Sequence, residues 1–184
     1  MGREEALELL HHSVSDTKMR YHSYASEAVM RGLARRLGRD VEKWGLAGLI
    51  HDIDVELTNA DPKIHALKAA EILRERRIDE DVIDAVRMHN EYATGLARNN
   101  EFQHALAAGE TITGLIYATA LVYPDRKIAS VQSKSVLKRM RQGAFAASVS
   151  RENIHECEKI GLTLEEFVGI ALDAMKEIGP QIGL

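Results

Sequence analysis

His51 and Asp52 stand side by side at the end of a strongly apolar stretch (Trp44, Leu46, Ala47, Leu49, Ile50), with His22 upstream and Glu110 downstream. Imidazole suits Mn, Fe, Ni or Zn, and carboxylate suits Mg or Mn. A mixture of the two beside buried surface points to a divalent metal ion that binds and activates water. Taken singly, each residue has a plainer reading. A lone histidine on an apolar face is more often a hydrogen-bonded core residue, and Glu110 could pair with an arginine. The set is harder to explain away, because an unpaired carboxylate in a buried helix must be paired, protonated or bound to metal.

These residues need elements that bring them together, and the punctuation of the chain supplies helices. A segment from about Tyr21 to Leu37 ends with Arg35, Arg36 and Gly38, cations in a last turn followed by a C-terminal glycine. Asp40 can cap a helix from Val41 to His51. Asp61 and Pro62 read as N-cap and first-turn proline of a helix to about Arg76, and Asp79 as the cap of one over roughly 80 to 90. A long helix near 101 to 121 stops before Pro124. Ser150 starts a helix closed by Gly161, and Thr163 with Glu166 forms a capping box for the last. On this reading His22 opens the stripe Ala25, Val29, Leu33 and Leu37, so its ring points inward. His51 and Asp52 can share one ion only if it lies off the helix end, since helix neighbours diverge. Glu110 shares a face with Leu106, Thr113 and Tyr117.

Composition agrees with an all-α fold built on a single domain. The 184 residues are 45% hydrophobic and 5% aromatic, with three prolines and many good helix formers. Cys157 is the only cysteine, so no internal disulfide can form. With no basic start and apolar run at the N-terminus, a cytoplasmic protein is expected. Residues 102 to 124 are weakly charged but too polar to span a membrane, and read as a buried core helix.

At this point the chain resembles the HD superfamily of metal-dependent phosphohydrolases. The family pattern of H, then HD, then a later D is met by His22, His51 with Asp52, and Glu110 in place of the final aspartate. The resemblance covers about 20 to 120 as the core, leaving 125 to 184 as a C-terminal helical extension. More narrowly, LAGLIHDIDVE, HALKAAEIL and ITGLIYATALVYP are similar to a bacterial and archaeal subgroup of HD-domain or HDIG-type hydrolases. The resemblance implies an HD-type helical bundle with the metal at its centre. Two departures stand out: the carboxylate at Glu110 is one methylene longer, and Val55 occupies the lysine position of the HDIGK form. His65 and His89 resemble the additional histidines of the two-metal branch, although Asn90 replaces the second of an adjacent histidine pair. One ion is expected, with His65 and His89 as candidates for holding a second or for binding substrate phosphate as imidazoles. Asp54 and Glu56, the nearest acids, could orient water or donate a proton to a leaving group. His11, His12, His104 and His155 have no matching motif.

Between Arg126 and Arg151 lie seven basic residues and no acid, in a chain of net charge −4. Such a segment can focus an anion toward a cleft. Lys134, Lys138 and Arg141 fall at helical spacing with Arg139 beside them, and could grip phosphate. The same run also fits a solvated face. Nucleic acid is disfavoured by the negative net charge, the few aromatics and the lack of a recognition motif. The expected function is therefore hydrolysis of a small phosphate ester, a nucleotide among the candidates, with a non-catalytic HD-fold module that senses a metal or nucleotide as the alternative. Substrate, metal identity (Mn, Fe, Ni, Mg or Zn) and oligomeric state stay open.

Overall fold

The computed structural model describes residues 1–184, and every regular element in it is helical. In chain order these are α1 (Arg3–Ser13), α2 (Thr17–Leu37), α3 (Val41–Ile50), α4 (Leu67–Glu75), α5 (Glu80–Met88), α6 (Glu91–Thr94), α7 (Glu101–Leu121), α8 (Ser133–Met140), α9 (Arg151–His155) and α10 (Leu164–Glu177), with short 3-10 turns at Ile128–Ser130, Glu156–Ile160 and Gly179–Ile182.

Most helix ends follow from local chemistry. Asp16 accepts from the backbone N–H of Lys18 and Met19, so α2 begins four residues before the expected Tyr21. It ends where Gly38 takes the left-handed conformation at φ 66°. Asp40 caps α3 through Lys43, and Asn100 caps α7 through Gln103. Thr163 caps α10 through the N–H of Glu166. The returning half of that capping box is absent, because the Glu166 carboxylate bonds Arg36 at 2.6 Å instead.

The helix expected from Pro62 is the main departure. Residues 61–66 form turns, Ala66 sits at φ 74°, and α4 starts only at Leu67. A distant acceptor displaces the local one. The buried Asp54 carboxylate accepts from the N–H of both Ala66 and Ala69 and fixes where the helix begins. α1, for which the sequence offered no cap, opens at Gly2, whose N–H is held by Glu5.

Helices α2, α3 and α7 form the middle of one hydrophobic cluster of 43 buried residues that runs from Ala6 to Ile182. The apolar stripe of α2 (Ala25, Val29, Met30, Leu33) packs here, and α7 buries nearly its whole circumference. The α2–α3 crossing is close enough that a Cβ on Gly48 would lie 2.6 Å from the Ser26 carbonyl oxygen. α10 covers the other side of α2, with Gly32 against Ile170. Residues of α8, α9 and α10 contribute to the same cluster as the amino-terminal helices. No helix is long and apolar enough to cross a membrane.

Candidate metal centre

Side chains from five separate places converge at the C-terminal end of α3. His22 comes from the first turns of α2, and His51 and Asp52 from the point where α3 unwinds. His65 lies in the turns before α4, and His89 at the C-cap of α5. His22 Nε2 and His51 Nε2 are 3.1 Å apart, and His65 Nε2 and His89 Nε2 are also 3.1 Å apart. Asp52 stands between the pairs. Its Oδ1 is 3.3 Å from His51 Nε2, 3.1 Å from His65 Nε2 and 3.4 Å from His89 Nε2, while Oδ2 is 3.6 Å from His22 Nε2. Glu110, halfway along α7, brings Oε2 to 3.7 Å from His22 Nε2. Two groups, His22 with His51 and Asp52, and Asp52 with His65 and His89, are compact enough for a metal ion each.

The other ring nitrogen of every histidine faces an oxygen. His51 Nδ1 donates to the Gly48 carbonyl at 2.9 Å and His89 Nδ1 to the Val86 carbonyl at 2.6 Å, acceptors that have no proton of their own. His22 Nδ1 donates to Thr113 Oγ1 at 2.9 Å, because that hydroxyl donates in turn to the Glu110 carbonyl at 2.6 Å. His65 Nδ1 is 2.8 Å from Asp54 Oδ1, a close ion-pair contact that lies off the hydrogen-bond direction. In their neutral form His22, His51 and His89 therefore carry the proton on Nδ1 and turn Nε2 lone pairs inward, whereas His65 lies between the Asp52 and Asp54 carboxylates. The His22 and His51 lone pairs, 3.1 Å apart with no proton between them in that form, repel, and a cation removes that repulsion. Pinning Nδ1–H to an oxygen is also how metal-bound imidazoles are oriented. The donor set, imidazole with carboxylate, fits a borderline divalent metal.

The electrostatics point the same way. Burial, reinforced by His51, pushes the His22 ring down to about 4, which keeps it neutral and able to ligate. Burial acts against charge on Asp52 as well. There His51 first, then contacts to His65 and His89, outweigh it and hold the carboxyl well below its usual range. Burial also opposes a charge on His65, but the Asp52 and Asp54 carboxylates overcome it and raise the ring to about 10. Burial raises Glu110 above an ordinary glutamate. Such opposed shifts within one cluster mark a candidate functional site.

A family model for the HD domain matches residues 19–120, more than half of the chain. The chain belongs to the HD superfamily of metal-dependent phosphohydrolases. No curated protein and no solved structure shows a significant match to it. The HD pair itself is His51 and Asp52, and the matched segment contains all six side chains that converge here.

Other residues singled out in the sequence lie elsewhere. Glu56 is turned outward: its Oε1 accepts from the N–H of Ser15 and of Asp16, each at 2.7 Å, and its Oε2 from Ser15 Oγ at 2.9 Å. It clasps the start of α2 and is not poised for proton transfer. Asp54 is fully buried, with Oδ2 taken by two backbone N–H groups and Oδ1 against His65. It therefore acts on His65, and no leaving group can reach it. Lys134, Lys138 and Arg141 are exposed along α8 and its C-cap. Arg139 lies over the Phe145 ring at 4.3 Å and donates to Gln142. Lys138 and Arg139 border a cleft beside Thr119, Tyr123 and Pro124. Thr119 is nine residues beyond Glu110 on α7, about 14 Å along the axis, so the basic stripe does not reach the imidazoles.

Sequence reasoning missed a buried polar group next to the HD site. Arg98 bonds Glu156, which also accepts from His104, a residue without a motif. Only a cation, a carboxylate and an imidazole falling in otherwise apolar surroundings could have signalled it.

Proposed function

We propose that this HD protein is a phosphohydrolase that cleaves a small phosphate ester, a nucleotide among the candidates, using two divalent ions that share Asp52. The observation that carries the reading is the set of four Nε2 atoms gathered around one carboxylate, each ring held at its Nδ1 by an oxygen. His22, His51, Asp52 and Glu110 would hold one ion, and Asp52, His65 and His89 the other. Divalent ions at such a site supply a lowered pKa for coordinated water and a Lewis acid for the phosphoryl oxygen.

The chain's own residues supply the rest. Thr113, Gly48, Val86 and Asp54 fix the four rings, so the ligating atoms need no reorganisation when a substrate arrives. Asp52 spans both groups and sets their separation. His22 and Glu110 keep partial exposure, their side chains 23% and 16% accessible, while His51 is sealed at 1%. His65 is 15% accessible, so both ligand groups keep an edge open to solvent. Partial exposure favours catalysis over a filled structural site, which closes its coordination sphere with protein ligands.

Metal analysis of the purified protein, followed by assay on a panel of phosphate mono- and diesters with added Mn²⁺, tests the reading. Metal-dependent turnover is expected, and Asp52→Ala should lose both metal and activity. Tight metal binding with no turnover on any ester would favour the sensing module. Full activity of Asp52→Ala after chelation would remove the metal from the mechanism.

A further inference from the structure

Segment 151–160 lies outside the matched HD region, yet it reaches both halves of the imidazole cluster through one continuous set of hydrogen bonds. Ser150 Oγ caps α9 at the N–H of Asn153 and so fixes where the Asn153 side chain begins. Asn153 Oδ1 accepts from Arg98 Nη2 at 3.1 Å. A guanidinium only donates, so the amide must present its oxygen there and its Nδ2 to the other side. Nδ2 donates to Thr111 Oγ1 at 3.4 Å. With that lone pair occupied, the Thr111 hydroxyl directs its own proton to Glu110 Oε1. A threonine inside a helix commonly turns its hydroxyl back to a carbonyl of the preceding turn, and Thr111 does not.

The other end of Arg98 is equally committed. Nη1 donates to the carbonyls of Met88 and His89 at 3.0 and 3.2 Å, where α5 ends, and Nε with Nη2 clasps Glu156 at 2.8 and 2.7 Å. One guanidinium therefore joins the backbone of His89 to the amide that steers Glu110.

We propose that Asn153, acting through Thr111, is a positioning residue that sets the Glu110 carboxylate toward His22. The inference rests on the metal-site reading above. Glutamate carries one more rotatable bond than the aspartate usual at this place in the HD pattern. The Thr111 hydroxyl restrains that extra freedom, and Asn153 restrains the hydroxyl. The extension after α8 thus completes the site from outside the family core.

The test is Mn²⁺ titration by calorimetry, with electron paramagnetic resonance of the bound ions, on the full chain and three variants. Thr111→Val removes the hydroxyl, and Thr111→Ser keeps it. Asn153→Asp keeps the Arg98 partner but offers Thr111 a second carboxylate, which competes for its single proton. Thr111→Val and Asn153→Asp should each weaken one of the two ions about 10-fold to 100-fold, the range for residues that orient ligands. Thr111→Ser should restore wild-type affinity, and the metal-free unfolding midpoint of all three should stay near wild type. Wild-type affinity in both Thr111→Val and Asn153→Asp would overturn the positioning role while leaving the metal site intact. So would an affinity loss matched by a lowered metal-free midpoint, since that is a merely structural effect. Failure of the unaltered chain to bind Mn²⁺, Fe²⁺, Ni²⁺, Mg²⁺ or Zn²⁺ would overturn the metal-site reading and this inference together.

Discussion

At the scale of single residues, two acids two positions apart in the sequence have opposite fates. Asp54 and Glu56 were equivalent on paper, as carboxylates just beyond the His-Asp pair. In the fold Asp54 points inward, with His65 and the start of α4, and Glu56 points outward to Ser15 and Asp16. Asp54→Asn should lower divalent-ion affinity at the His65 and His89 half by about tenfold or more, measured by calorimetry. Glu56→Gln should leave ion affinity and turnover unchanged and lower only the unfolding midpoint. The reverse ranking would mean the two roles are exchanged. Which side chains converge was legible: His22, His51, Asp52, Glu110, His65 and His89 all meet. The role of Asp54 was not, because nothing local reveals that a carboxylate will cap a helix twelve residues on.

Among elements, the α2–α3 pair sets the distance between His22 and His51. Gly48 lies at their closest approach, and its carbonyl is also the acceptor for His51 Nδ1. A methyl group there would press on the Ser26 and Glu27 backbone at under 3 Å, and backbone cannot swing aside as a side chain can. Gly48→Ala should therefore cost about 1–3 kcal/mol in denaturant unfolding, and should weaken metal binding as the two helices part. Unchanged stability would show that the helices have slack. The caps Asp40 and Thr163 read well from sequence, since each acts within three residues. Asp16, which starts α2 four residues before the expected Tyr21, was missed, and the late start of α4 was not legible because the distant Asp54 carboxylate decides it.

For the molecule as a whole, the C-terminal extension is tied to the HD core by charge as well as by apolar packing. Glu156 is buried with Arg98 and His104. Burial would raise its carboxyl, but the Arg98 contact and then His104 outweigh this and hold it below the usual value of 4.5. A depressed folded pKa contributes stability that is complete above the unfolded value and is lost as pH falls through the folded one. Glu156→Gln should thus destabilise the protein by about 3 kcal/mol near neutrality, with the gap to wild type closing as pH falls below the unfolded value of 4.5. A gap constant with pH would place the effect in packing and not in charge. The basic stripe is the feature that sequence read least well. Counting charges found Lys134, Lys138, Arg139 and Arg141, but periodicity cannot tell which way a helix turns relative to a site built by other helices.

The gathered imidazoles and carboxylates have a consequence for handling the protein. A cation that binds this cluster in the folded chain, and finds no such cluster in the unfolded one, stabilises the fold. Melting temperature then becomes a ranking of cations: the ion that best matches the pocket should delay unfolding most, and a simple thermal scan can name it before any substrate is known.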